Sequence, residues 1–153
     1  LRRFLLYALG TFLGTGFAPF APATVASFAF ALLWWWVAPV PLTVHLAALI
    51  AAIAVGVPVA ADIARRTGRP DPGIVVIDEV AGMLVTLLGC PVADGRAILV
   101  AFIWFRIFDI LKPLGVRRLE SVGSVGVGIM ADDLGAGVLA AVATWATLRL
   151  AGW

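Results

Sequence analysis

The sequence reads as an all-α protein, a multi-helix integral membrane bundle forming a single domain over residues 1–153. Three features carry that reading. The chain is 63% hydrophobic and 13% charged, whereas soluble domains carry about 25% charged residues. From Phe4 to Ala61 there is no Asp, Glu, Lys or Arg, so helices formed there have no charged face to turn to water, and lipid is their natural solvent. Finally, the apolar runs are separated by short connectors that gather the arginines.

Residues 1–13 predict a short apolar helix, below the length of about 20 residues that a crossing needs. The Leu1-Arg2-Arg3 start has the outline of a signal peptide. No small-residue cleavage site follows it, so it reads as a mature N-terminal helix. Residues 14–22 form a Gly/Pro loop. Residues 24–38 are an apolar helix carrying Trp34, Trp35 and Trp36, a residue type that favours the membrane interface. Pro39 and Pro41 break it, and 42–61 is a second apolar run, so the two predict a helical hairpin with its turn at the prolines. Residues 62–72 are a polar connector with Arg65, Arg66 and Arg69. Residues 73–89 are apolar apart from Asp78 and Glu79, and 91–96 is a turn. Residues 97–111 form a helix that ends among Arg106, Asp109 and Lys112. A Gly-rich loop at 122–130 leads to a last, charge-free helix at 134–148. Small residues four apart, Ala136/Ala140 and Gly137/Ala141, suit close helix packing in a membrane.

The basic clusters Arg2/Arg3, Arg65/Arg66/Arg69 and Arg117/Arg118 are separated by pairs of apolar helices. Each pair returns the chain to the same side, and positive charge favours the cytoplasmic side. The polar loops would then share the cytoplasmic interface. The net charge of +2 makes no case for nucleic-acid binding. The single cysteine, Cys90, excludes an internal disulfide. Nothing in the sequence fixes an oligomeric state.

Five of the nine acidic residues lie in or beside apolar segments: Asp78, Glu79, Asp109, Asp132 and Asp133. A carboxylate at mid-helix in a membrane costs roughly 2.5 kcal/mol or more on insertion scales. Arg106 and Lys112 each stand three residues from Asp109 and share its helix face. Asp78, Glu79, Asp132 and Asp133 have no sequence-local partner. A hard divalent cation would resolve that excess charge, and magnesium commonly takes one or two carboxylates together with substrate phosphate. Each piece also has a local alternative. Asp132 or Asp133 would serve as an N-cap to the helix that follows, Asp78-Glu79 as a solvated helix start, and Arg106, Asp109 and Lys112 as a structural ion cluster.

The loop before the second helix supplies other parts. Its glycines, Gly14 and Gly16, let backbone approach a ligand closely. Free N–H groups at the next helix start attract phosphate, and Thr24 and Ser27 add hydroxyl donors. Competing signals are weaker. Cys90 and Arg96 have the Cys-x5-Arg spacing of thiolate phosphatases, but Gly89 and Ala97 stand where His and Ser or Thr are usual, and the bland reading is a buried cysteine beside a turn. His45 has no second histidine for a metal site and reads as a packed or interfacial residue. Gly123, Gly126 and Gly128 lack the strand–helix alternation of a nucleotide loop. The Ser and Thr residues have no His/Asp companions for a triad.

Four stretches occur in order: GTGFAPFAPATVAS at 14–27, IVVIDEVAGM at 74–83, FRIFDILKP at 105–113 and GVGIMADDLGAG at 126–137. In these the chain resembles the phosphatidylglycerophosphatase A family over nearly its whole length. It departs from the family pattern at Ala23 and Ala26, where glycines are usual, at Pro70-Asp71, where His-Asp is common, and at 114–116. The resemblance implies a bacterial inner-membrane, multi-pass phosphatase with its active site facing the cytoplasm. It also implies that phosphatidylglycerophosphate is converted to phosphatidylglycerol with Mg2+. The family's charged positions fall on Asp78, Glu79, Arg106, Asp109, Lys112, Asp132 and Asp133. On that basis the metal ligands are expected among Asp78, Glu79, Asp132 and Asp133. Asp78, Asp109, Arg106 and Lys112 are expected to act in catalysis, and Thr15, Gly16, Thr24 and Ser27 to bind the substrate. The rival reading is a small membrane transporter or channel whose ion path uses the intramembrane acids.

Overall fold

The structure, a computed structural model, describes residues 2–90, 94–113 and 115–152, with the side chains of Arg2, Arg117 and Glu120 outside that description. Among the described residues every regular element is helical. They are α1 (Arg2–Gly10), α2 (Pro22–Val37), α3 (Leu42–Thr67), α4 (Ile77–Leu87), α5 (Gly95–Leu111) and α6 (Val125–Leu150), with 3-10 turns at Thr15–Phe17 and Val116–Ser121. The fold is the expected helical membrane bundle. Two helices, α3 and α6, are long and apolar enough to cross a membrane.

Proline sets several of the boundaries. Pro22 opens α2 at a position where its fixed φ suits a first turn and its missing N–H costs nothing. Pro39 stops α2, because the residue before a proline is pushed out of the helical region. α3 then starts after Pro41 and ends at Gly68 in the left-handed region (φ 67°).

Three expectations change. First, α3 does not stop at residue 61 but continues through the polar connector to Thr67. Asp62 holds that extension by accepting from Arg65 and Arg66, both at 2.8 Å and three and four residues on. Second, the Gly-rich stretch at 122–130 is mostly helix, since α6 begins at Val125. Gly126 is needed because a Cβ there would come within 2.1 Å of the Val57 carbonyl oxygen of α3. Asp132 and Asp133 therefore lie more than a turn inside α6, and neither caps it; Ser124 occupies the cap position. Third, α2 and α3 turn at the prolines but do not pair along their lengths. α2 lies against α4 and α5, while α3 lies against α1, α4 and α6.

Contacts along the helices fix their directions. Gly82 of α4 and Gly89, two residues past its end, meet Gly137 and Ala141 of α6, respectively, so these two helices run parallel. The expected small-residue seam on α6 is thus real, and it faces the short helix α4. α5 runs antiparallel to α6: Lys112 pairs with Asp132, and farther along, Trp104 Nε1 donates to Thr147 Oγ1 at 2.9 Å. α3 is antiparallel to α4 and α6, meeting Ile77 and Met130 at Gly56 and the Leu84 carbonyl at His45. The start of α2, the end of α3, the start of α4, the end of α5 and the start of α6 consequently gather at one end of the bundle. Pro39, Pro41, the end of α4 and the start of α5 gather at the other. Apolar side chains such as Trp36, Ile50, Val138 and Val142 are exposed on the outside, the surface that lipid would cover.

Candidate active site

Each acidic side chain reaches the site from a buried backbone position. α4 starts at Ile77, so Asp78 and Glu79 occupy its first turn. This is the helix start the sequence suggests, but it is not solvated: the two residues are 8% and 7% exposed. Carboxylates at a helix N-terminus face unpaired N–H groups and the positive end of the helix dipole, which favours their charge. Asp133, 4% exposed, comes from the parallel helix α6. One carboxylate oxygen from each of Asp78, Glu79 and Asp133 lies within 4.8 Å of the others. Asp78 Oδ1, Glu79 Oε2 and Asp133 Oδ2 are buried without a hydrogen-bond partner among the described residues. Acceptor-only oxygens crowded in this way repel one another and want a cation. An oxygen-only donor set of this density fits a hard divalent ion such as magnesium.

The cations stand at the edge of the cluster. Arg106 Nη1 donates to Asp109 Oδ2 at 2.8 Å, the i,i+3 pair the spacing predicts, and both are largely buried. The same nitrogen reaches Ser27 Oγ at 3.4 Å. The negative charge of Asp109 also acts on Asp133, which couples the cation pair to the carboxylates electrostatically. Lys112 does not stay on the Asp109 face. It ends α5 in the left-handed region (φ 43°) and crosses to pair with Asp132 Oδ2. A partner distant in sequence thus engages Asp132, while Asp78, Glu79 and Asp133 form the three-carboxylate group.

The four loop residues divide. Ser27 is fully buried, accepts from Arg106 and donates to the Ala23 carbonyl at 2.8 Å. Thr24 shares an apolar groove with Arg106. Thr15 and Gly16 have local work instead. The Thr15 hydroxyl donates to the Thr11 and Phe12 carbonyls, both at 3.0 Å. Gly16 sits under the Ile74 carbonyl oxygen, 2.1 Å from where a Cβ would be. That contact presses the loop onto the segment leading into α4.

Sequence reasoning overlooked Asp71. It is exposed and lines a cleft of about 210 Å³ together with Pro70, Val125, Ile129 and Asp132. Its charge is felt at Asp78.

The competing motifs fall elsewhere. Residues 91–93 of the Cys90–Arg96 loop lie outside the described residues. Cys90 packs against the core, and Arg96 starts α5 at the end of the bundle away from the carboxylates. His45 is buried, with Nε2 on the Leu84 carbonyl oxygen at 2.8 Å and its ring against Trp34. It is a packing residue, as expected.

With this geometry in place, the comparisons are specific. The sequence model of the phosphatidylglycerophosphatase A family matches residues 8–148. A Bacteroides thetaiotaomicron protein with the provisional name phosphatidylinositol-3-phosphatase is 40% identical over 152 residues, covering 93% of this chain and 95% of its own. Phosphatidylglycerophosphatase A of Escherichia coli K12 is 34% identical over 128 residues, 84% of this chain and 74% of its own. Phosphatidylglycerophosphatase A of Haemophilus influenzae is 39% identical over 79 residues, covering 52% and 48%. No solved structure matches. The transporter reading finds no support among these relatives. By the extent of the match and the order of its motifs, the chain belongs to the phosphatidylglycerophosphatase A family.

Proposed function

We propose that this chain hydrolyses phosphatidylglycerophosphate to phosphatidylglycerol and phosphate, and that Asp78, Glu79 and Asp133 hold a magnesium ion as it does so. The observation that carries the reading is the buried carboxylate trio, whose facing oxygens lie within 4.8 Å and keep acceptor capacity unused. A bound magnesium ion supplies Lewis-acid polarisation of a phosphoryl oxygen and balances the trio's charge.

The protein's own groups do the rest. Arg106 and Lys112 carry the positive charge that a transferring phosphoryl group needs on its equatorial oxygens. Asp109 fixes the Arg106 guanidinium, and Asp132 fixes the Lys112 ammonium. Ser27 holds Arg106 from the other side. Thr24 and the start of α2 line the approach to Arg106, where unpaired N–H groups favour an anion. Water attack forms the new P–O bond as the bond to the glycerol oxygen breaks. Asp109, beside Arg106, takes the water's proton and passes it to the departing glycerol oxygen, so that the alcohol leaves neutral.

Membership of the family and the two long apolar helices support residence in the inner membrane. The distribution of the arginines favours a multi-pass arrangement with this site at the cytoplasmic face. Arg65, Arg66, Arg69 and Arg118 lie at the carboxylate end of the bundle, while Arg96 and Arg149 lie at the other.

The test is phosphate release by the purified protein from phosphatidylglycerophosphate, phosphatidylinositol 3-phosphate and phosphatidic acid, each with magnesium and with EDTA. Preferred cleavage of phosphatidylglycerophosphate that EDTA abolishes and magnesium restores is the expected result. Preference for the inositol lipid, favoured by the name of the Bacteroides relative, would move the headgroup. Full activity in EDTA would remove the metal.

A further inference from the structure

An apolar groove of about 450 Å³ opens on the outside of the bundle around the active-site arginine. Phe102, Ile103, Ile107 and Ile110 of α5 form its floor, and Thr24 of α2 and Arg106 are its polar members. A second cleft of about 370 Å³ continues between the same two helices, past Phe28, Leu32, Trp35 and Leu99. Phe102 lines both, and its edge-to-face contact with Phe28, ring centroids 5.6 Å apart, forms the waist between them. The α2–α5 seam therefore carries a nearly continuous apolar channel from Arg106 to Arg96.

Ten residues of helix separate those arginines, a length of about 15 Å. That is the depth of one leaflet, half of a hydrocarbon core about 30 Å thick. The charge is asymmetric in the useful sense. At the catalytic end the channel meets a guanidinium whose Nη1 is held by Asp109 and Ser27, and whose buried Nε has no partner among the described residues. A lipid phosphate drawn to that guanidinium has its tail beside this channel.

We infer that the α2–α5 channel seats an acyl chain of the substrate, so that α5 positions the phosphate through the lipid's tail as well as through Arg106. The inference rests on the proposed reaction with a phosphorylated diacyl lipid. Lipid tails are as apolar as the groove, so the channel adds little affinity from burial. What it fixes is position: a misplacement of about 1 Å at the reacting centre costs up to about 100-fold in rate.

The test compares two phosphomonoesters with one headgroup, dioleoyl phosphatidylglycerophosphate and its deacylated form. Ile103→Trp and Ile107→Trp fill the groove with side chains that remain comfortable against lipid. The expected result is a fall of about tenfold in the ratio of kcat/KM for the long-chain over the deacylated substrate. Val142→Trp, at an exposed apolar position on α6 outside the groove, should leave that ratio where it was. An unchanged ratio in the groove variants, or an equal fall in Val142→Trp, overturns the inference. A second readout does not depend on turnover. Phosphatidic acid with a diazirine in its acyl chain, in phosphatidylcholine vesicles, should label 102–110 more than phosphatidylcholine carrying the same diazirine. Ile107→Trp should abolish the difference. Equal labelling by the two lipids overturns the channel assignment, whereas failure of the native protein to cleave phosphatidylglycerophosphate at all overturns the headgroup.

Discussion

At its Asp78 end the seam between α4 and α6 holds three carboxylates with oxygens that lack partners among the described residues, and at its Gly89 end backbone packs directly on backbone. The same two helices, running in the same direction, make both. At the far end the Gly89 backbone lies so close to Ala141 that a Cβ would sit 2.1 Å from its carbonyl oxygen. Midway, Gly82 and Gly137 are in similar contact. Rigid contact along most of the seam fixes the spacing where it opens, and there the acidic side chains are held together against their own repulsion. Asp78→Asn keeps the shape and removes one charge from the open end, so the protein should still fold. Magnesium-dependent turnover should fall by roughly 1,000-fold, equivalent to the several kcal/mol a metal contributes to the transition state. Near-normal hydrolysis by that variant would mean that the open end is not the metal site.

Gly82 in α4 and Gly89 just beyond it separate packing from chemistry. A Cβ on Gly82 would meet the Phe105 ring at 2.4 Å and the Asp133 carbonyl oxygen at 2.8 Å. Gly82→Ala must therefore shift the backbone that carries a carboxylate of the trio. Its specific activity is expected to drop by about 100-fold, the scale of an ångström's misplacement. Gly89→Ala meets only Ala141 at the far end. It should lower stability by about 1–3 kcal/mol, as overpacking does, and leave the activity per folded molecule near normal. Thermal unfolding and magnesium-dependent phosphate release, measured on both variants, separate the two ends of the seam. Equal activity losses would show that the seam acts as one unit.

Much of this was legible in the sequence, and what was not has physical causes. The charge-free run from Phe4 to Ala61 and the prolines at 39 and 41 announce a lipid-embedded helical fold through solvation and backbone sterics. The Arg106–Asp109 pair is legible because i,i+3 spacing is local. Lys112 has the same spacing, yet its left-handed backbone sends it to Asp132, and such a turn depends on what lies twenty residues away. The glycines at 123, 126 and 128 suggest a loop by propensity. At Gly126 the demand for close contact with Val57 overrides propensity, and the helix runs through. Thr15 and Gly16, read from sequence as ligand contacts, also hold the loop itself, through the Thr15 hydroxyl's hydrogen bonds and the close approach of the Ile74 carbonyl, which sequence does not reveal. Which of the paired aspartates joins the trio depends on how α4 and α6 sit in register, and one sequence carries no such signal.

The cations sharpen the comparison from the other side. Arg106→Lys keeps the charge but cannot span Asp109 and Ser27 with one planar group. An activity loss of about 30-fold is expected, with magnesium dependence retained, since the trio is untouched. Altered magnesium affinity in this variant would instead tie the guanidinium to the carboxylates through Asp109 and Asp133.

Ser27→Ala should have the smallest effect. Ser27 is fully buried, and its contact with Arg106 Nη1, at 3.4 Å, is at the long end for a hydrogen bond. Its own proton goes to the Ala23 carbonyl within α2. Alanine removes both bonds while leaving Arg106 the shorter contact with Asp109. A single hydrogen bond of this kind contributes about 0.5–1.5 kcal/mol, and the low end of that range corresponds to a two- to threefold fall in kcat/KM. Because the side chain steadies the arginine and does not touch the carboxylates, magnesium dependence should be unchanged. A loss above about tenfold would mean that the hydroxyl meets the substrate phosphate itself, and the α2 start would then belong to the phosphate site as well as to the approach.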